Sequence, residues 1–415
     1  MSVLTPHPRF RIYTSPATYL SAFRDLLTGG VNQGDDCEQL ESLISQRFDV
    51  TYCHCTPQAR VGIYLAIKAL VPPGKKVILS PYTIADVINM VICAGAIPVF
   101  ADIDSRTCNI DPENIETLID EDTAAVMITH LHGLACPIDR IAELCKKHGL
   151  PLIEDAAQAF GATYKGRKLG TFGEVGIYSL GMYKNLIAFF GGMVVTNNQA
   201  IHETIKGELA TWPITETGRL AKKIISGLAT DIATSPPLFQ LLVFHIFRFG
   251  HLHQIRAINK HVETELDLTR KDVIPELYLR RLSPMQARLA LAKLDNIEQD
   301  SARRIHAASL YHEGLKDIDE IGLPPLATDG SHIYTYYPIQ VPDRRKLVKW
   351  MMWQYRDIGV QHLKNCADLP GFKAYYHDCP RARQTADQVV LLPSYPRYSE
   401  DQVKRNIKSI RGFFT

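Results

Sequence analysis

Two apolar runs, each followed by a charged residue, limit the folds open to this chain. Residues 150–153 have the composition of a buried strand, and Asp155 lies just beyond them. A second strand-like run, residues 175–180, leads to Lys184 and then to a Gly-Gly turn. Because parallel α/β sheets bind their ligands at the carboxyl ends of the strands, the pattern places an acid and a lysine where such a sheet carries its chemistry.

Strand-like and helical patterns alternate over the first half of the chain. We predict strands over 77–79, 97–100 and 124–128, and helices over 60–70, 84–94 and 137–148. This alternation is typical of a mostly parallel sheet with helices on both faces. From residue 283 the pattern changes: apolar spacing predicts a long helix, and a strand over 334–341 and a helix over 344–355 follow. A chain of 415 residues also exceeds what one core usually supports, so we expect two domains.

Composition excludes several classes of protein. The chain has 46 basic and 44 acidic residues and no arginine-rich block, which argues against a nucleic-acid partner. Nine scattered cysteines are typical of reduced thiols in the cytosol. Cys53-His54-Cys55 lacks a second ligand pair at zinc spacing, so we predict no metal site. The first eleven residues contain no apolar stretch of signal-peptide length, and we expect a cytoplasmic protein.

The acid and the lysine suit one kind of cofactor. A carboxylate such as Asp155 can keep a pyridine nitrogen protonated, which turns the ring into an electron sink. Lys184 can carry an aldehyde as a Schiff base, and desolvation at a strand end would lower its pKa and free the nucleophilic amine. These two functions together describe a site for pyridoxal phosphate.

Further segments occur in a fixed order along most of the chain. They are 80–83 (Ser-Pro-Tyr-Thr), 94–104, 129–133 (Thr-His-Leu-His-Gly), 154–159 (Glu-Asp-Ala-Ala-Gln-Ala), 179–185, 283–287 (Ser-Pro-Met-Gln-Ala) and 392–396 (Leu-Pro-Ser-Tyr-Pro). In this order they resemble the DegT/DnrJ/EryC1/StrS family of pyridoxal-phosphate-dependent sugar aminotransferases. The resemblance implies fold type I: a large domain with a mostly parallel, seven-stranded type of sheet over 1–270 and a smaller α+β domain over 271–415.

The resemblance also implies an activity and a set of residues. An amino acid would donate its amino group to a keto-sugar in polysaccharide or secondary-metabolite biosynthesis. We expect glutamate as the donor and a nucleotide-linked sugar as the acceptor. The active sites would be shared across a homodimer. Lys184 would be the catalytic lysine and Asp155 the partner of the ring nitrogen. Other expected cofactor contacts are Gln158, Ser179, Ala59, Arg60, Tyr82, Ile84 and Arg280, and expected substrate contacts are His130, Tyr183 and His362.

The chain departs from the family pattern at three places. Gln58-Ala59-Arg60 replaces the phosphate-binding Ser-Gly-Thr turn, so Arg60 would bind phosphate by its charge. Leu279-Arg280-Arg281 replaces Asn-Tyr-Arg, and Arg280 could substitute for the asparagine that reaches the neighbouring subunit's phosphate. Ile84 occupies the place of a ring-stacking aromatic, with Tyr82 as a candidate replacement. His132 also stands where the family often has an aromatic residue.

An apolar insertion over about 213–262 separates the two halves. Its densest part, residues 238–249, is too short and too polar to span a bilayer. Basic residues flank it: Arg219, Lys222, Lys223, Arg248, Arg256 and Lys260. One interpretation is a helical segment packed on its own protein or on a second subunit. The other is an interfacial segment that contacts a membrane or a lipid-linked substrate.

Other functions stay open at this stage. Relatives that remove a sugar hydroxyl typically carry histidine in place of the lysine, so Lys184 argues against that reaction. The apolar insertion leaves room for a lipid-linked or other hydrophobic carbonyl substrate. The three departures leave room for a cofactor-binding regulator with little turnover.

Overall fold

The computed structural model describes residues 5–12, 14–255, 257, 267–360 and 363–415. His362, Arg256 and Lys260 therefore lie outside the described residues. The strands, in chain order, are β1 (Tyr52–Thr56), β2 (Lys76–Leu79), β3 (Tyr82–Thr83), β4 (Ile97–Phe100), β5 (Thr123–Thr129), β6 (Leu152–Asp155), β7 (Thr163–Tyr164), β8 (Arg167–Lys168), β9 (Val175–Ser179), β10 (Gly192–Thr196), β11 (Tyr337–Gln340), β12 (Gly359–Val360), β13 (Lys364–Asn365) and β14 (Val389–Leu392).

Helices surround these strands. They are α1 (Pro16–Thr28), α2 (Asp36–Phe48), α3 (Ala59–Leu70), α4 (Ala85–Cys93), α5 (Pro112–Leu118), α6 (Ile138–His148), α7 (Gln199–Thr211), α8 (Thr217–Ala233), α9 (Pro236–Leu238), α10 (Phe244–Leu252), α11 (Pro284–Leu291), α12 (Ile297–Leu315), α13 (Arg344–Trp353), α14 (Pro380–Gln388) and α15 (Glu400–Phe414). A π-helical turn, Phe239–Val243, joins α9 to α10. The long helix predicted from residue 283 is wrong in one respect, because a 3-10 turn at Leu294–Asn296 divides it into α11 and α12.

A seven-stranded sheet lies at the centre of the described large half, in the order β1-β10-β9-β6-β5-β2-β4. The strands from β9 to β4 run parallel, whereas β10 is antiparallel to both β9 and β1. The predicted α/β fold is thus confirmed. Thr129 pairs with Asp155, and Asp155 pairs with Ile177, so β5, β6 and β9 end side by side.

Alternate residues of the central strands face opposite layers. On β5, Ala125 and Met127 pack into the core beneath α3 and α4, whereas Val126 and Ile128 pack towards α6. A parallel strand covered on both faces must be apolar throughout, which explains the continuous apolar runs in the sequence. A second sheet, β11-β14-β12, forms the centre of the C-terminal half. The domain boundary at 270/271 stays a prediction.

Two glycines bring the start of α3 against the sheet. A Cβ at Gly62 would come within 2.8 Å of a methyl group of Val194, and one at Gly192 would lie 2.5 Å from the backbone nitrogen of Ala59. Only a residue without a side chain fits such close approaches. The first turn of α3 is therefore held beside the start of β10, which pairs with the end of β9 at Ser179.

The helix pair α8 and α10 forms the body of the predicted insertion. Among the described residues, no single helix is long and apolar enough to cross a membrane. Taken together, α8 and Pro236–Leu252 reach that length and apolar content, but the two are bent by 64° relative to each other. Gly227 of α8 packs on the ring of Phe189, and Asp231 accepts a hydrogen bond of 2.7 Å from the hydroxyl of Tyr19. The pair thus lies on the protein along one of its faces.

Candidate active site

Lys184 lies in the loop that follows β9. Its backbone N–H donates to the carbonyl of Gly181 at 3.1 Å, which closes a turn directly after the strand. The side chain keeps partial exposure because it lines a cavity, but protein atoms surround most of it. Desolvation lowers the pKa of the Lys184 amine to about 8, an effect that the charge of Arg60 reinforces and that of Asp155 opposes. A substantial fraction of the amine is therefore neutral near pH 8.

Asp155 is the last residue of β6 and is buried. Its carboxylate accepts a backbone N–H from Ala157 at 2.9 Å and the hydroxyl of Thr129 at 3.5 Å. Burial raises the pKa of Asp155, although the Ala157 N–H and the charge of Lys184 act against that rise. A cation at this carboxylate would favour its ionised form, so the site suits a protonated ring nitrogen.

Gln158 and His132 form the next part of the wall. Residues 156–162 form hydrogen-bonded turns and no helix. The side-chain amide oxygen of Gln158 accepts the backbone N–H of His132 at 2.8 Å. The backbone carbonyl of Gln158 accepts the hydroxyl of Thr335 at 2.6 Å. These contacts tie the strand edge to the C-terminal half.

The ring of His132 is buried, and neither of its nitrogens has a hydrogen-bond partner among the described residues. Burial lowers the pKa of His132 to about 3, and the positive charge of Lys184 acts in the same direction. Buried polar atoms without partners are rare in proteins and call for an explanation. A bound polar molecule next to Lys184 would supply the missing partner.

The start of α3 combines open N–H groups with a fixed arginine. Gln58 caps this helix without any side-chain hydrogen bond, so its first N–H groups are available to an anion. Arg60 forms an ion pair with Asp86 and donates to the hydroxyl of Tyr278 at 3.4 Å. Lys271 also contacts Asp86, at 2.6 Å. Ser179, at the end of β9, accepts the N–H of Gly181 at 3.3 Å.

Asp86 was not singled out from the sequence. Burial alone would raise its pKa, but the charge of Arg60 and hydrogen bonds from Lys271 and Tyr278 together hold the pKa below its ordinary value. The ion pair fixes the guanidinium of Arg60 in place. Only the fold brings these side chains together, because Lys271 and Tyr278 lie nearly two hundred residues further along the chain.

The two predicted ring contacts, Tyr82 and Ile84, lie in the chain just before Asp86. Tyr82 is buried, and its hydroxyl has no partner among the described residues; burial raises the pKa of this phenol, and the charge of Arg344 acts against that rise. Ile84 precedes α4 and packs partly buried against the core. Contact of either residue with a cofactor ring stays a prediction.

Arg280 and His130 have defined partners of their own. Arg280 forms an ion pair with Glu216 at 2.6 Å and donates to two backbone carbonyls. His130 contacts Glu154 through Nε2 at 3.0 Å, while its Nδ1 accepts the N–H of Cys136 at 3.1 Å. Since both ring nitrogens of His130 are engaged in the interior, we do not propose it as a substrate contact.

A cavity of about 370 Å³ opens beside Lys184. Tyr183 and Phe10 line this cavity, and the centres of their rings are 4.6 Å apart. Of the described residues in the lining, Asp300 is the one acid, and the cations are Arg9, Arg11, Lys293, Arg303, Arg304 and Arg397. Burial lowers the pKa of Arg304 to about 10. Such a lining suits a ligand that carries several negative charges.

The sequence contained no signal for this cavity. Its cations come from four distant segments, and none of them lies in a recognisable motif. Asn185 was also missed, although it lies within the motif beside Lys184: its amide donates to the carbonyl of Phe160 and accepts from Thr335 at 3.0 Å. Within the described chain, no group of three or more metal-binding side chains occurs.

Known proteins are similar to this chain in sequence and in fold. The sequence profile of the DegT/DnrJ/EryC1/StrS aminotransferase family matches residues 17–222 and 258–411. The chain is 27% identical over 398 residues to the spore coat polysaccharide biosynthesis protein SpsC of Bacillus subtilis (strain 168), which covers 93% of this chain and 91% of that protein.

Solved structures agree on the fold. Sugar aminotransferase CalS13 from Micromonospora echinospora superimposes with a TM-score of 0.76 at 20% identity and covers 98% of this chain and 99% of that one. E. coli GDP-4-keto-6-deoxy-D-mannose-3-dehydratase, solved with hydrated PLP bound, gives a TM-score of 0.75 at 16% identity. That match covers 98% of this chain and 100% of the dehydratase chain. With the family profile matched over most of its length, the chain belongs to the DegT/DnrJ/EryC1/StrS aminotransferase family.

Proposed function

We propose that this enzyme transfers the amino group of an amino acid, glutamate in our expectation, to a keto-sugar that is linked to a nucleotide. The observation that carries the proposal is the desolvated amine of Lys184, electrostatically coupled to buried Asp155 and open to a cation-lined cavity. The polysaccharide protein to which the chain is similar supports a role in surface polysaccharide biosynthesis.

The residues around Lys184 fit pyridoxal phosphate. The buried carboxylate of Asp155 matches its ring nitrogen, and the unpartnered imidazole of His132 matches its polar ring substituents. The start of α3, with its open N–H groups, matches its phosphate. Asp155, Gln158, Ser179, Ala59 and Arg60 would hold it. When bound, this cofactor supplies an aldehyde that accepts an amino group and a ring that withdraws electrons.

Lys184 has the central chemical role in this proposal. Its Nζ is neutral over much of the population near pH 8, so it can act as the base that takes a proton from a substrate carbon and returns it to another. With the cofactor bound, Asp155 would place its negative charge beside the ring nitrogen, where the charge has the largest effect on electron withdrawal. Asp86 holds Arg60 in an ion pair, and Arg60 would bind the phosphate from there.

The cavity would receive the acceptor. Arg9 already pairs with Asp357, but the other cations of the lining still outnumber its one acid. This charge favours a diphosphate group over a neutral sugar, which is why we favour a nucleotide-linked substrate. We further propose a homodimer with shared sites, in which Arg280, near the start of α8, lies close to the neighbouring subunit's phosphate. The ion pair with Glu216 would have to open for that contact.

Two measurements test the proposal together. The purified protein with pyridoxal phosphate should change its absorption spectrum on addition of glutamate, with stoichiometric release of 2-oxoglutarate. Borohydride reduction should attach the cofactor to Lys184, as peptide mapping would show. Lys184→Ala should abolish both results, whereas Lys168→Ala, on β8, serves as the matched control. Attachment at Lys168 or Lys165, or binding without any reaction with amino acids, would contradict the proposed activity; the second result would favour a regulator.

A further inference from the structure

The outward face of α10 and its preceding turn is apolar. Leu241 is 81% exposed, Phe249 55%, Leu242 51% and Ile246 44%. Large apolar side chains that cluster on a surface mark a contact with another molecule or a membrane. The family profile leaves residues 223–257 unmatched, so this face belongs to a part of the chain outside the shared aminotransferase pattern.

The inward face of the same helix is already occupied. Phe239 and Phe244 are buried and pack with Met352 and Tyr355. A helix whose inner side belongs to the protein core cannot cross a bilayer without unfolding that core. Only its outer side is available, which is the geometry of a helix lying in the plane of a membrane surface.

Charge accompanies the exposed apolar residues. No acidic residue occurs between residues 236 and 252 or between residues 344 and 353. Helix α13, which contacts α10, exposes Arg345, Lys349 and Trp353 at intervals of four residues, hence along one side. Arg248 lies 4.7 Å from the ring centre of Trp353. An exposed tryptophan beside basic residues is typical of proteins anchored at the headgroup level.

We propose that this docking face binds the surface of a membrane that contains anionic lipid. The docking face comprises Leu241, Leu242, Ile246, Phe249 and Trp353, with Arg345 and Lys349 as its basic rim. A second copy of the chain is the main competing occupant. The residues that define the docking face include no acid. Self-association through this face would therefore bring the basic rims of two copies together, which costs energy, whereas anionic headgroups complement them.

Helix α8 also exposes apolar side chains together with a basic one. Ile225 and Ile232 are more than half exposed, and Lys222 is exposed one turn before Ile225. The one acid of this helix, Asp231, is buried and bonded to Tyr19 and to the backbone of Thr14. The inference goes beyond the proposed function, since membrane docking sets where the enzyme acts and leaves its reaction unchanged.

Liposome flotation of the full chain tests the proposal. The wild type should float with vesicles of equal parts phosphatidylcholine and phosphatidylglycerol, less with phosphatidylcholine alone, and less as salt rises. Leu241→Asp with Phe249→Asp should lower the bound fraction at least about tenfold, since each change removes a full apolar contact. Arg345→Glu with Lys349→Glu should remove the preference for anionic lipid.

A matched control uses exposed apolar residues elsewhere. Leu27, 88% exposed on α1, and Val273, 78% exposed, can be changed together to Asp and should leave flotation unchanged. Phe244 is unsuitable for this purpose, because it is buried and an acid there would unfold the protein.

Light scattering distinguishes the competing occupant. The wild type and the Leu241→Asp/Phe249→Asp variant should have the same molar mass in solution. A lower mass for that variant would show a subunit interface and overturn the proposal. In the flotation experiment, wild-type protein that does not rise with the vesicles would overturn it as well. Neither readout depends on turnover, so failure here leaves the proposed reaction standing.

Discussion

The strand edge at Lys184 and the docking face on α10 use the same types of residue in opposite ways. At the strand edge, apolar strands enclose a lysine, an aspartate and a histidine, and the loss of water changes the pKa of each. On α10, apolar residues face outward beside cations that keep their water. The family profile covers the first region and skips the second. The enclosed residues thus lie in the part of the chain that the family shares, and the exposed apolar face lies in the part that the family profile does not match.

The sharpest test of this contrast compares two phenylalanines of one helix. Phe244→Ala should lower the free energy of unfolding by about 3–5 kcal/mol, because it leaves a cavity in a packed cluster. Phe249→Ala, with its ring 55% exposed, should change stability by less than about 0.5 kcal/mol. Urea denaturation followed by circular dichroism measures both. Similar losses would mean that the outer face is also packed in solution.

At the strand edge, the charge of Asp155 should matter more than its shape. Asp155→Asn should retain cofactor but lose about 10²–10³-fold in turnover, since a neutral amide no longer stabilises the positive ring nitrogen. Steady-state assays with glutamate, beside equilibrium dialysis for cofactor content, would separate the two effects. A near-normal rate would remove Asp155 from the proposed mechanism.

His130 and His132 differ in what their rings bond to. His130→Phe should destabilise the protein, by about 1–3 kcal/mol for each group left without a partner, because Glu154 and the N–H of Cys136 both lose a contact. His132→Phe breaks no hydrogen bond of its ring and should stay within about 1 kcal/mol of the wild type. Thermal denaturation of the cofactor-free protein compares them. Equal losses would indicate that His132 has a partner in solution, such as ordered water.

The smallest expected effect is a shift in a titration. Attachment of an aldehyde to Lys184 requires the neutral amine, so its rate should rise with pH and level off above about 8, where an ordinary lysine would continue rising to 10.5. Arg60 lowers this pKa and Asp155 raises it. Arg60→Gln should therefore move the midpoint up, and Asp155→Asn should move it down. Pyridoxal without phosphate is the suitable probe, because it avoids the loss of phosphate binding in the first variant.

Local pattern alone determined a large part of this protein. The strands that end at Asp155 and near Lys184 were predicted to within about two residues, as were α3, α4 and α6. These elements are encoded by neighbouring residues, whose spacing of apolar side chains decides between strand and helix. The order of segments then identified the family and, with it, predicted the roles of Lys184 and Asp155.

Tertiary structure decided the pairs and surfaces. The contacts of Asp86 with Arg60 and Lys271, and the cations around the cavity, join residues that are distant in the chain. No local pattern encodes such pairs, because they depend on how the whole chain folds back on itself. The same limit left the two interpretations of residues 238–249 open from sequence. An amphipathic run shows that one face is apolar, but only the packing of Phe244 against Met352 reveals which face is already buried and which is left outside.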